Sequence, residues 1–109
     1  LTSLNNDDTN EIFQRTASDH VNAMLNLAES VNIDGVVCSP HELELVSQRE
    51  SLLSMTPGIR LEKLADDQKR VMTPSEAINL GADYIVIGRP ITASDNIKKT
   101  LNEIYSSIQ

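Results

Sequence analysis

Residues that could bind an anion follow one short apolar stretch near the carboxyl end of the chain. The uninterrupted apolar segment 84–87 is followed at once by Gly88 and Arg89. A glycine lets a ligand approach the backbone, and an arginine presents a planar fork of donors that fits a phosphate or a carboxylate. The segment 94–96 (Ser-Asp-Asn) is a candidate helix cap whose free amides would face the same place. The pattern predicts a phosphate site at the end of a parallel strand, although a surface ion pair would equally explain an arginine here.

Strand and helix patterns alternate along the chain. We predict the end of one strand at 1–4, a full strand at 34–39, and further strands within 51–60 and 83–91. The strand in 51–60 runs into a Pro-Gly turn, and the one in 83–91 ends abruptly at Gly88 and is covered on both faces because its apolar run does not alternate. After a loop at 5–9, helices are expected at 10–31 (in two pieces meeting near 18–19), after residue 39, after residue 73 and from about residue 95. This order predicts an α/β fold of parallel (β/α) units. Four units fit either an open doubly wound sheet or half of an eightfold barrel.

Capping signals and apolar stripes define the predicted helices. Two segments, 39–42 (Ser-Pro-His-Glu) and 73–76 (Thr-Pro-Ser-Glu), combine a capping box with a proline at the first helical position. Gly81 is expected to close the second of these helices in the left-handed conformation. The predicted buried stripes are Val21, Met24, Leu25 and Ala28 in one helix and Ile97, Leu101, Ile104, Tyr105 and Ile108 in the last.

The predicted ligand end of the sheet is its carboxyl edge. Ser39, Arg60, the long polar loop 61–72 and the pair Gly88-Arg89 would gather there, and such a loop is typical of a lid. Structural explanations remain open, because Ser39 could only cap a helix and Gln68 could only be solvated. We interpret His20 and His41 as surface or capping residues.

Composition limits the possible function classes. The 109 residues suffice for one small domain but not for a complete barrel of about 250 residues. A net charge of −7 without a basic tract argues against nucleic acid as a partner. One cysteine, Cys38, allows no internal disulfide and is typical of a reducing compartment. No segment resembles a membrane span or a signal peptide, and the opening Leu1 leads us to expect a processed or partial chain.

Four blocks of sequence, in order, carry a family resemblance. They are 34–39 (Asp-Gly-Val-Val-Cys-Ser), 56–60 (Thr-Pro-Gly-Ile-Arg), 67–74 (Asp-Gln-Lys-Arg-Val-Met-Thr-Pro) and 81–91 (Gly-Ala-Asp-Tyr-Ile-Val-Ile-Gly-Arg-Pro-Ile). Together they closely resemble the carboxyl-terminal half of bacterial orotidine 5′-phosphate decarboxylases, over nearly the whole of 1–109. The resemblance implies half of a TIM (β/α)8 barrel, strands five to eight with their helices. It also implies a homodimeric, cytoplasmic lyase of pyrimidine synthesis that uses neither cofactor nor metal.

The resemblance also implies contacts to the base of a nucleotide substrate. Ser39 matches the family serine that hydrogen-bonds the pyrimidine edge. Gln68 matches the glutamine of a phosphate-gripping loop that closes over the substrate and reaches toward that serine. Thr2 falls on a threonine that lines the same pocket.

The resemblance further implies contacts to the phosphate of the substrate. Arg89 and the amide of Gly88 match the family's phosphate holders, and Arg60 matches an arginine of the substrate-binding set. The loop from Arg60 to Gln68 is about one residue shorter than in some relatives, which alters its expected contacts.

The family's catalytic residues are absent from this sequence. An alternating Lys and Asp network, with an Asp-x-Lys-x-x-Asp motif, carries the chemistry and belongs to the amino-terminal half of the barrel, and no such motif occurs here. We therefore expect this chain to be inactive alone and to need that half as its partner. Two alternatives are another phosphate-binding barrel lyase or isomerase and a non-catalytic half-barrel that binds a phosphorylated ligand.

Overall fold

A computed structural model describes residues 3–61 and 71–109 of the chain. Within them, β1 (Gly35–Val37), β2 (Leu53–Thr56) and β3 (Tyr84–Ile85) form a parallel sheet in that order. The α/β class and the parallel sheet are thus confirmed. All three strands are shorter than their predicted segments. Ser3 and Leu4 lie outside any strand, so the prediction of a strand end at 1–4 is wrong for these two residues.

Helices precede, join and follow the strands. They are α1 (Asn6–Phe13), α2 (Ala17–Ser30), α3 (Leu43–Ser47) after a 3-10 turn (Pro40–Glu42), α4 (Pro74–Asn79), α5 (Arg89–Thr92) and α6 (Ile97–Ser107). The short α5 was not predicted, whereas the cap of α6 falls within the predicted segment. There the Asn96 side chain accepts a hydrogen bond from the Lys99 amide at 3.0 Å.

The first two helices begin at capping side chains that sequence reasoning misplaced. The prediction of a loop at 5–9 is wrong, because Asn5 and Asp8 cap α1 reciprocally, at 2.9 and 3.0 Å. The helix ends at Phe13, and its C-cap residue Gln14 is left-handed, with φ of 56°. Thr16 then accepts from the amide of Asp19 and starts α2, so the break comes before the predicted 18–19.

The two predicted capping boxes differ in outcome. The box at Thr73 and Glu76 forms as predicted and starts α4. Ser39 occupies the N-cap position of a 3-10 turn but makes no side-chain cap hydrogen bond, so the box predicted at 39–42 is wrong. Gly81 follows α4 with φ of 97°, as predicted, and a Cβ there would lie 2.8 Å from the Cβ of Ser47.

Helices bury one face of the sheet. The core between them contains Leu25 and Ala28 of α2, Leu43 and Val46 of α3, and Ala77 of α4, with Val36 and Ile85 of the sheet packed against it. Met24 was expected in this core, but it is 52% exposed and lines an open apolar cleft between α2 and β1. In α6 only Ile104 of the predicted stripe is buried, and Ile97, Leu101 and Tyr105 are exposed.

The opposite face of the sheet is apolar and open. Its exposed side chains are Val37, Leu53, Met55, Tyr84 and Val86. The register places Val37, Met55 and Tyr84 side by side across all three strands. The prediction that the last strand is covered on both faces is therefore wrong for the described residues, in which helices cover one face only.

Candidate functional site

Three strand ends meet at one edge of the sheet, and the candidate site residues follow them. Ser39 lies two residues after β1, Pro57-Gly58 follow β2, and Gly88-Arg89 lie shortly after β3. Backbone pairing continues past the strands, since the Val86 amide donates to the Thr56 carbonyl at 2.9 Å. Because parallel strands end at a common edge, Ser39 and Arg89 lie at the same side of the sheet.

A cleft of about 510 Å³ opens at the β1 side of this edge. Its lining combines the start of the described chain, the start of α2 and the turns after β1 and β2: Leu4, Asn5, Asn6, Ala17, Ser18, Ser39, Pro40, His41, Glu42, Pro57 and Gly58. The wall consists mostly of small residues and mixes polar with apolar side chains, which suits a ligand that has both a hydrogen-bonding edge and an apolar surface.

Ser39 is the most buried polar side chain of this cleft, at 6% exposure. Its hydroxyl makes no cap hydrogen bond and so can bind a ligand. Beneath it, the Cys38 thiol and the Thr56 hydroxyl form a buried contact at 3.5 Å between β1 and β2. Burial raises the pKa of the Cys38 thiol, which therefore stays protonated and acts as packing.

Glu42 places a half-buried carboxyl in the same wall. Desolvation raises its pKa, and the charge of the neighbouring His41 opposes part of that effect. Glu42 also lines a second, more apolar cleft of about 310 Å³ between α2 and β1.

Arg60 stands where the chain leaves the sheet edge for the segment 62–70. Ile59 and Met72 form a parallel bridge, and the Arg60 amide donates to the Met72 carbonyl at 3.0 Å. The two ends of the predicted lid are thereby joined at the rim. Gln68 and Thr2 lie outside the described residues.

Gly88 and Arg89 begin α5 rather than a loop. Gly88 is its N-cap, and the Gly88 carbonyl accepts from the amides of Ile91 and Thr92 at 2.9 and 3.1 Å. Arg89 is exposed and does not contribute to the described wall of the 510 Å³ cleft. The structure thus brings Ser39 together with Pro57-Gly58 and places Arg89 farther along the same rim.

Sequence reasoning missed Asn5, Asn6 and Glu42 as lining residues. The available signal was the Asn5-x-x-Asp8 capping pair, which would have placed a helix start at the rim. Within 3–61 and 71–109, no three His, Cys, Asp or Glu side chains are grouped so that they could hold a metal ion. No helix in these same ranges is long and apolar enough to cross a membrane.

Comparisons with known proteins agree on one family. Residues 1–104 match the model of the orotidine 5′-phosphate decarboxylase / HUMPS family. The chain is 46% identical over 111 residues to an orotidine 5′-phosphate decarboxylase of Wolbachia pipientis, covering 99% of this chain and 49% of the relative. Identity to that of Coxiella burnetii is 47% over 113 residues, covering 100% and 48%.

Solved structures agree with the sequence comparisons. The crystal structure of an orotidine 5′-phosphate decarboxylase from Lactobacillus acidophilus matches all of this chain with a TM-score of 0.78 and 28% identity, and 46% of that chain is covered. The fold is therefore that of part of a TIM barrel, as predicted. The chain spans about half the length of the curated relatives it matches.

Proposed function

Because the chain belongs to the orotidine 5′-phosphate decarboxylase / HUMPS family, we propose that it is the substrate-gripping, carboxyl-terminal half of an orotidine 5′-phosphate decarboxylase. The complete protein would convert orotidine monophosphate to uridine monophosphate and carbon dioxide. The observation that carries the proposal is the shared rim, with the buried hydroxyl of Ser39 after β1 and the exposed guanidinium of Arg89 after β3.

Each site residue has a proposed role at this rim. Ser39 hydrogen-bonds the pyrimidine edge, and Gln68 reaches it from the segment between the joined residues Arg60 and Met72. Arg89 and the Gly88 amide hold the phosphate. Arg60 and Thr2 complete the substrate-binding set, as their positions in the matching sequence suggest.

The reaction breaks the bond between C6 of the pyrimidine and its carboxylate. Carbon dioxide leaves, the electron pair stays on C6, and a proton then neutralises that carbon. A lysine of the amino-terminal half would supply the proton, so the described residues bind and orient rather than react. Phosphate contacts far from C6 still lower the barrier if they drive loop closure and exclude water.

The missing half of the barrel is the proposed partner of the open sheet face. Val37, Leu53, Met55, Tyr84 and Val86 leave a continuous apolar surface that a parallel sheet normally covers. Leu4 lies in the cleft wall with Ser39, and β1 is an edge strand of the described sheet, to which the missing half would add its own strands. A homodimeric, cytoplasmic enzyme without cofactor or metal completes the proposal, and this chain alone is inactive.

Replacing Arg89 by alanine in the complete protein tests the assignment. Losing a charge-assisted contact to the phosphate is expected to cost about 2–5 kcal/mol in binding of uridine monophosphate. Uridine, which lacks the phosphate, should bind almost unchanged. Arg15→Ala removes another exposed arginine, which lies between α1 and α2 rather than after β3, and serves as the control. Equal affinity for uridine monophosphate in Arg89→Ala and the parent would contradict the proposed role.

A further inference from the structure

The side chain of Asn6 is fixed by a hydrogen bond to its oxygen atom. Its Oδ1 accepts a hydrogen bond from the backbone amide of Ala17 at 3.0 Å, across 11 positions of sequence. The bond joins the beginning of α1 to the beginning of α2, and both residues line the 510 Å³ cleft that contains Ser39.

This bond settles the orientation of the amide. Since Oδ1 faces a backbone donor, Nδ2 carries the two hydrogens at the other end, and it makes no hydrogen bond to any described residue. An amide fixed in this way loses little side-chain entropy when it binds a ligand. Its neighbour Asn5 is fixed in the same manner, because its Oδ1 accepts from the Asp8 amide at 2.9 Å.

We infer that Asn6 is a further substrate-binding residue, whose Nδ2 donates to a neutral oxygen of the nucleoside part of the nucleotide. The inference rests on the proposed function, since it assigns the ligand of the same cleft. It follows from the shared wall with Ser39, at the β1 side of the rim, whereas Arg89 lies at the β3 side. The cleft thus offers two groups to the nucleoside. The Ser39 hydroxyl is one, and Nδ2 of Asn6, which can donate to a carbonyl or to a ribose hydroxyl, is the other.

The test uses Asn6→Asp in the complete protein, that is, in this chain joined to the amino-terminal half of the barrel. Aspartate keeps an oxygen for the Ala17 amide but replaces the Nδ2 donor by an acceptor that repels a ligand oxygen. Affinity for uridine monophosphate should fall roughly tenfold or more, since a lost hydrogen bond and an unfavourable contact are combined. The melting temperature should stay that of the parent.

Two controls separate this contact from general charge effects. Asn10→Asp adds the same charge to α1 at an exposed position outside the cleft, and its affinity should equal that of the parent. Uridine, which has no phosphate to be repelled at a distance, should show the same loss with Asn6→Asp. A loss that appears with uridine monophosphate but disappears with uridine would overturn the assignment.

The experiment separates the role of Asn6 from the proposed function. If the parent binds uridine monophosphate and Asn6→Asp binds it equally well, the role of Asn6 is wrong and the proposed function stands. If the complete parent protein binds neither uridine monophosphate nor uridine, the proposed function is wrong and the inference falls with it.

Discussion

The two faces of the three-stranded sheet differ sharply. On the helix-covered face, Ser54 and Thr56 are 1% and 0% exposed although both are polar. On the other face, Val37 and Tyr84 are 63% and 57% exposed although both are large and apolar. For these four residues, burial follows the covering of the face on which they lie and not their hydropathy. The polar residues inside require partners, and the apolar residues outside require a cover.

The same contrast in burial appears at the carboxyl edge of the sheet. Ser39 is buried after β1, where its neighbour Cys38 contacts Thr56 of β2, whereas Arg89 is exposed after β3. The two ends of the proposed nucleotide site therefore differ in burial. The Ser39 end is packed within this chain, and the Arg89 end is exposed to solvent.

Two adjacent leucines, one on each face of the sheet, provide the strongest test of the difference between the faces. Leu52 is 5% exposed and Leu53 is 47% exposed. In the chain alone, Leu52→Ala should lower the free energy of unfolding by about 2–5 kcal/mol, and Leu53→Ala by about 0.5 kcal/mol or less. Urea unfolding measures both values. Joined to the amino-terminal half, Leu53→Ala should approach the cost of Leu52→Ala, and a cost that stays small there would show that the open face is not covered.

Sequence reasoning predicted the parts of the fold that rest on local signals. The capping box at Thr73 and the left-handed Gly81 depend on neighbouring residues only, and both form. Burial depends on what packs against an element, so the same reasoning failed for Met24 and Leu101, which look like core residues but are exposed. An apolar pattern shows that a surface needs covering, but it does not show whether the cover belongs to this chain.

Only part of the candidate site could be predicted from the sequence. The strand-end positions of Ser39 and Arg89 could be predicted, because strand order alone places them at one edge. The contact of Asn6 with Ala17 in the cleft wall could not, since that hydrogen bond spans 11 positions of sequence, whereas the Asn5–Asp8 cap was a local signal that was overlooked. A polar run with turn-forming residues favours a loop until its caps are recognised.

Two aspartates, each directly before a strand, allow a second comparison, at the amino ends of the strands. Asp83, just before β3, accepts from the amide and the hydroxyl of buried Ser54 at 2.8 and 3.1 Å. Asp83→Ala leaves both donors without that partner and should lower the free energy of unfolding by about 1–3 kcal/mol. Asp34 precedes β1 in the same way, but its exposed side chain has no hydrogen bond in the described part of the chain, so Asp34→Ala should be nearly neutral. Equal costs in chemical denaturation would show that the Ser54 contact does not hold β2 and β3 together.

The smallest effect should appear in the pH dependence of stability, with opposite signs for two glutamates. Hydrogen bonds from Ser51 and Arg49 lower the pKa of Glu29, so its contribution is present above the unfolded pKa and is lost as pH falls through the folded pKa. Desolvation raises the pKa of Glu42, so its contribution is present at low pH and is lost as pH rises through the folded pKa. Thermal unfolding between about pH 3 and 7 should therefore show a weaker acid loss in Glu29→Gln and a steeper one in Glu42→Gln. The effect of Glu29 on stability is small because that carboxylate is open to solvent, whereas the carboxyl of Glu42 is half-buried in the cleft wall. Parallel pH profiles of the two variants would mean that the cleft side of α3 is as well solvated as the outer surface of α2.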